Sequence, residues 1–224
     1  MDVLKSDAPL IVYVDVKSPY AFVAIGPTLA LEAELGMQFD WRPLTLDIPS
    51  YLGSARKKDG KVVSSTGRSA QTWNAIRYAY GDARRYAERQ GLTLKGTEKI
   101  WDSHIANIGI LWVMKTARER LGAYFDAVFK PFWRRELDIE DVGSIEACLK
   151  AAGIESSGFK KYLHGEGIRI HNELLAQFHT QGIYGVPTYV LGKKVLFGRE
   201  HIPLIRWSLT DRQGIPPDIA YEIE

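Results

Sequence analysis

Apolar positions along the chain fall into two patterns, short dense runs near the two ends and helical spacing between them. Leu10 to Val16 is dense in Ile, Val and Tyr and bounded by a polar turn, which predicts a central strand. Ser18 then stands as a helix N-cap with Pro19 at the first helical position, and Phe22, Val23, Ile25, Leu29 and Ala30 recur at roughly helical spacing up to Gly36. Pro27 is expected to kink that helix. Met37 to Leu44, with Phe39 and Trp41 and with Pro43 at its close, reads as a second strand. The opening is therefore βαβ.

Beyond it the pattern changes. Ser50 to Gly67 is polar, glycine-bearing and locally basic, and reads as a loop. Trp73 to Gln90, Glu98 to Leu121, Tyr124 to Arg135 and Ile145 to Ala152 each carry apolar residues three or four apart, with Gly91, Gly96, Gly122 and Gly153 between them. A further helix from about Ile168 to Gln181 leads into Val186 to Leu191, a Gly192-Lys193 turn and Val195 to Phe197, which predicts a β-hairpin with a two-residue loop. A short helix over Ile202 to Thr210 follows, Pro203 in its first turn. If the two ends pack as one sheet, the helical block is an insertion into a small α/β domain.

With 224 residues and 46% apolar content, the chain has material for one domain carrying such an insertion. Twenty-nine Lys and Arg against 27 Asp and Glu leave a net charge of +2, too balanced to supply the field that nucleic acid or an anionic membrane exploits. Neither is expected as a partner. The stretch Met1 to Asp7 lacks the cationic start and apolar run of a secretory signal, so the expected location is the cytosol. Ile105 to Met114 is about half a membrane span long, contains Asn107 and Gly109, and reads as a buried helix. The single cysteine, Cys148, leaves no partner for an intramolecular disulfide, a CxxC pair or a thiolate zinc site, and reads as a small core residue. His104, His164, His171, His179 and His201 form no HExxH pattern, and no metal is expected. Without GxSxG, Walker or GxGxxG motifs, serine hydrolase, nucleotidase and Rossmann readings have no foothold.

Three segments, in order, carry a resemblance to a known family. Asp15-Val16-Lys17-Ser18-Pro19-Tyr20-Ala21 follows the first strand; Gly185-Val186-Pro187-Thr188 precedes the hairpin; Phe197-Gly198-Arg199-Glu200-His201 precedes the last helix. Together they resemble the DsbA-like branch of the thioredoxin superfamily, in particular 2-hydroxychromene-2-carboxylate isomerases and kappa-class glutathione transferases. Ser18 and Ala21 stand where DsbA-type enzymes have the two cysteines of C-P-x-C, and Glu200 and His201 stand where the glutathione users have Asp and Arg. The segment from Ser50 to Gly67 is longer and more polar than the matching loop of that family.

The resemblance implies an α/β thioredoxin fold, formed by residues 8–48 and 166–212, with an inserted all-helical domain at 49–165 and a tail at 213–224. It implies glutathione as cofactor, a small-molecule substrate, a homodimer, and a glutathione-dependent cis-trans isomerase of an unsaturated aromatic 2-oxo acid. A kappa-like transferase and a redox-inactive thioredoxin-fold binding protein are the alternatives. In the implied site the Ser18 hydroxyl supports a bound thiolate at the helix start, where the dipole favours an anion. Val186 and the cis proline Pro187 would pair with the cysteinyl amide, and Arg199 and Glu200 would hold the γ-glutamyl end. Tyr20, Lys17, Asn74 and Arg77, with the basic run Arg56-Lys57-Lys58 and Lys61, are candidates for the substrate, although exposed basic loops also serve simply as solvated surface.

Overall fold

A computed structural model describes residues 2–217, so the last part of the expected tail lies outside the described residues. The elements in chain order are β1 (Ile11–Val14), α1 (Pro19–Leu35), β2 (Asp40–Pro43), α2 (Ile48–Leu52), β3 (Ser54–Lys58), β4 (Lys61–Thr66), α3 (Ala70–Arg89), α4 (His104–Thr116), α5 (Leu121–Trp133), α6 (Val142–Ala151), α7 (Phe159–Tyr162), α8 (Ile168–Phe178), β5 (Thr188–Leu191), β6 (Lys194–Phe197) and α9 (Ile202–Leu209). One four-stranded sheet runs in the order β2-β1-β5-β6. β1 is parallel to β2, with Ile11 beside Asp40, and antiparallel to β5, with Ile11 beside Val190. β1 is buried along its whole length, which is why it reads as an uninterrupted apolar run rather than an alternating one.

The sheet thus joins the two ends of the chain, as the thioredoxin-type reading expected, and α2 to α7 lie between them in sequence. On that topology we keep 49 and 165 as the proposed limits of the insertion. An aromatic seam ties the inserted helices to α1: Phe22 stacks 6.1 Å from Phe129 and 6.0 Å from Trp133, and Trp41 of β2 meets Phe125 edge-on at 5.2 Å. Burying such rings supplies a large share of a core's energy. Glu32 of α1 is the polar pin of the same seam, accepting from Phe39 N at 2.6 Å and Trp41 Nε1 at 3.2 Å while pairing with Arg118.

Three segments differ from the pattern reading. Residues 54–66 form an antiparallel hairpin, β3 and β4, turning at Asp59 (φ 50°) and Gly60 (φ 76°). Its residues are almost all exposed, so no apolar alternation marks it. The hairpin closes at Gly53 (φ 63°), where a β-carbon would collide with Thr66 O; only glycine fits. The helix expected from Glu98 begins at His104 instead; Ser103 bonds a buried carboxylate described below, and Lys99 and Asp102 N are held by Glu140. Phe159–Tyr162 and the π turn Leu163–Gly167, rich in glycine, give no helical period that could be read in advance. Pro27 lies within α1, which runs unbroken as a single helix from Pro19 to Leu35.

Candidate functional site

The turn between β1 and α1 is fixed by a buried polar cluster. Asp15, 0% exposed, accepts from Ser103 Oγ at 2.5 Å, Leu46 N at 2.9 Å, Asn107 Nδ2 at 3.0 Å and Lys17 N at 3.3 Å. Asn107 Oδ1 in turn receives Val16 N at 3.2 Å, and Ser18 N bonds Asp15 O at 3.0 Å. Every backbone N–H from Val16 to Ser18 is therefore held from below. That rigid turn aims the first residue of α1.

Ser18 caps α1 in extended geometry (φ −88°, ψ 120°), its Oγ accepting from Ala21 N at 3.2 Å. Pro19 has no N–H to satisfy, and Phe22 N makes the first helical bond to Ser18 O at 3.1 Å. Among the described residues Tyr20 N has no partner, so one helix-start N–H remains to meet an anion. The Val186-Pro187 bond is cis, as the resemblance expected. Val186 O receives the Ser18 hydroxyl at 3.3 Å, and Pro187 O receives Gly198 N at 2.9 Å. Those two bonds bring the helix start, the proline loop and the Phe197-Gly198 turn together.

A cavity of about 590 Å³ opens over this point, with Lys17, Ser18, Tyr20 and Val186 in its lining. Its walls are aromatic, made by Tyr20, Tyr51, Trp73, Tyr80, Trp101 and Tyr184. Burial, then the nearby Asp82 carboxylate, pushes the Tyr20 phenol well above its ordinary range, and its hydroxyl donates to Asp82 Oδ2 at 3.2 Å. Lys17 is only 6% exposed and makes no ion pair among the described residues. Arg77 reaches the cavity and bonds Asn74 Oδ1 at 2.5 Å, whereas Asn74 itself is exposed and outside the lining. Of the basic run, Lys57 alone lines the cavity; Arg56, Lys58 and Lys61 face solvent or the hairpin.

Arg199 and Glu200 lie beside the site rather than in its lining. The Arg199 guanidinium sits 3.9 Å over the Tyr86 ring, and the exposed Glu200 carboxylate folds back over Gly198 (φ 110°). The backbone N–H groups of Arg199 and Glu200 have no partner among the described residues, so they offer a second place for a carboxylate. Pattern reading missed Arg68, Tyr51, Tyr80 and Trp101 as wall residues. Trp101 falls within the helically spaced stretch Glu98 to Leu121, and nothing local distinguishes a wall from a core aromatic. Cys148 is remote from this chemistry, its thiol donating to Ala127 O at 3.2 Å and pushed up in pKa by burial.

Behind Asp15 the cluster continues from Asn107 Nδ2 to Thr45 Oγ1 at 2.7 Å and on to His171 Nε2 at 2.8 Å. Burial pulls the His171 imidazole below its ordinary pKa. The unfolded chain therefore binds the proton first as pH drops below about 6.5, and stability present above that value declines through the folded pKa. Urea unfolding at pH 7.5 and 5.5 is expected to show a larger loss for the parent than for His171→Gln; an equal loss in both removes His171 from the account.

A family model for the DSBA-like thioredoxin domain matches residues 9–209. No curated protein sequence matches the chain. Among solved structures the fold is similar to 2-hydroxychromene-2-carboxylate isomerase, at 18% identity and a TM-score of 0.67 over 90% of this chain and 94% of that one. It is also similar to the cytosolic disulfide reductase DsbM from Pseudomonas aeruginosa with GSH, at 14% identity and a TM-score of 0.62 over 91% of this chain and 98% of that one. Likeness at such identity speaks for the fold alone. No helix among the described residues is long and apolar enough to cross a membrane.

Proposed function

The chain belongs to the DSBA-like thioredoxin domain family, and from that premise we propose that it is a glutathione-dependent cis-trans isomerase acting on an unsaturated aromatic 2-oxo acid. The observation that carries this is Ser18: a hydroxyl caps α1 where relatives of the redox type place a reactive cysteine, within reach of Val186 O and under an aromatic cavity. Ala21 at the second position leaves no dithiol there.

The free N–H of Tyr20, the Ser18 hydroxyl and the Val186 carbonyl suit a cysteinyl group, and the open amides of Arg199 and Glu200 suit a carboxylate. Glutathione, if bound here, would supply a thiol nucleophile for reversible addition to a conjugated double bond, chemistry that frees the bond to rotate with no net redox change. The chain's own part is electrostatic. With a sulfur placed at the start of α1, the Ser18 hydroxyl would leave Val186 O and donate to it, and the α1 dipole and Tyr20 N–H would lower the thiol pKa from about 8.5. The aromatic walls offer flat apolar surface to a planar substrate, and Lys17 lines the same cavity beside Ser18. Homodimeric assembly and residence in the cytosol belong to the same proposal.

The same geometry serves a kappa-like transferase, the difference being whether glutathione is consumed; turnover at limiting glutathione separates the two. The primary test is calorimetric titration with glutathione while the thiolate ultraviolet band is followed against pH. Binding is expected, with the band appearing well below the free thiol's pKa. Absence of binding at millimolar glutathione overturns both enzymatic readings.

A further inference from the structure

Six cationic side chains line the cavity against one acidic one, Glu98. Most of the six are engaged or solvated. Lys99 pairs with Glu140 at 2.5 Å, Arg77 bonds Asn74, Arg84 Nε bonds Leu94 O at 3.1 Å, and Lys57 is exposed on the hairpin. Lys17, beside Ser18, and Arg68 remain without an ion pair among the described residues.

Arg68 is the better built of the two. Its Nε donates to Leu52 O at 3.0 Å and its Nη2 to Gly53 O at 3.3 Å, which fixes one edge of the guanidinium to the base of the hairpin. The plane lies 4.8 Å from the centre of the Trp73 ring. The Nη1 end is uncommitted and retains the fork that matches a carboxylate. Burial lowers the Arg68 pKa from its ordinary value, as expected of a cation that lacks a counter-charge. In the same cavity Tyr51, Trp73, Tyr80 and Trp101 provide flat apolar walls, and a charge-assisted pair beside them is stronger than a neutral hydrogen bond.

We infer that Arg68 is a specificity-determining residue that takes the carboxylate of a planar conjugated acid whose ring lies among these aromatic walls. This deepens the proposed reading and rests on it only for which end of the bound molecule reacts, the end facing Ser18. The feature comes from the hairpin segment 50–67 and the residue that closes it, so this chain's substrate choice is written in its most individual segment. Arg68 also braces the hairpin base, and the test has to separate the two roles.

Cinnamate and its neutral amide, cinnamamide, are suitable probes, titrated without glutathione and followed by quenching of tryptophan fluorescence. The parent is expected to bind the acid about tenfold or more tightly than the amide. In Arg68→Met that preference is expected to fall to within about twofold while the amide's own affinity holds, and Arg68→Lys is expected to restore part of it. A purely structural role would weaken acid and amide alike. Equal binding of the two probes by the parent, no quenching by either, or an acid preference that survives in Arg68→Met and vanishes in Lys17→Met each overturns the inference. Because glutathione is omitted, failure of glutathione to bind would sink the isomerase reading and leave this result standing.

Discussion

Ser18→Ala is expected to lower glutathione-dependent turnover by about 10²- to 10³-fold, the usual consequence of removing one preorganised donor aimed at developing negative charge. The loss should fall on kcat at saturating glutathione, and the pH at which the bound thiol ionises should rise, since the missing bond acts on the anion. Ser18 also caps α1 through Ala21 N, so a separate loss of roughly 1 kcal/mol in stability is expected from the same change. Ser18→Thr, which keeps the hydroxyl, should recover both. If Ser18→Ala turns over as well as the parent does, the catalytic role of position 18 falls; if the parent shows no turnover and Ser18→Ala binds its ligand equally well, the chain is a binding protein on a thioredoxin scaffold.

Asp15→Ala is expected to remove at least about 3 kcal/mol of stability, measured as a lowered urea midpoint with an unchanged slope. The carboxylate receives two side-chain donors and two backbone N–H groups in full burial. Alanine takes the acceptor from Ser103 Oγ and from the N–H groups of Lys17 and Leu46, while Asn107 Nδ2 keeps its bond to Thr45 Oγ1, and each orphaned buried donor costs about 1–3 kcal/mol before relaxation and water entry recover part of it. Ser103→Ala removes a single donor from the same carboxylate and should cost about 1 kcal/mol. A loss below about 1 kcal/mol in Asp15→Ala would mean that the turn before α1 is held by its packing rather than by this cluster.

The residues that made the fold legible were those whose signal is local. Ser18-Pro19 announced a capped helix, the apolar density of Leu10 to Val16 announced a central strand, and Gly192-Lys193 between two short strands announced the hairpin; all three are present. Asp59-Gly60 is an equally good turn signal, yet β3 and β4 carry no apolar alternation, because almost all of their residues, Val62 and Val63 included, are exposed. The late start of α4 was illegible for the opposite reason. The bonds that hold the residues before it, from Ser103 to Asp15 and from Lys99 and Asp102 to Glu140, link residues far apart in sequence. Within the site, Ser18, Tyr20, Lys17 and Val186 line one cavity, whereas Asn74 lies outside the lining, because its place on α3 faces solvent. Arg68 was hidden by its setting, a lone cation after a glycine, whose meaning depends on a cavity formed by segments scattered along the chain.

The sheet order has a consequence for the way the chain comes into being. β1 must wait for β5, its antiparallel neighbour, whose register partners Tyr189 and Val190 are made long after it. At a ribosomal pace of about 5–20 residues per second, on the order of ten seconds separate the two strands. Meanwhile β2 can cover one flank of β1, and the helices can form from their own local contacts, but the other flank of Ile-Val-Tyr-Val stays an unpaired edge open to a neighbouring nascent chain. Closure by the final hairpin is thus the committing event of maturation, and a chain halted before Thr188 would present an adhesive edge instead of a smaller working fold.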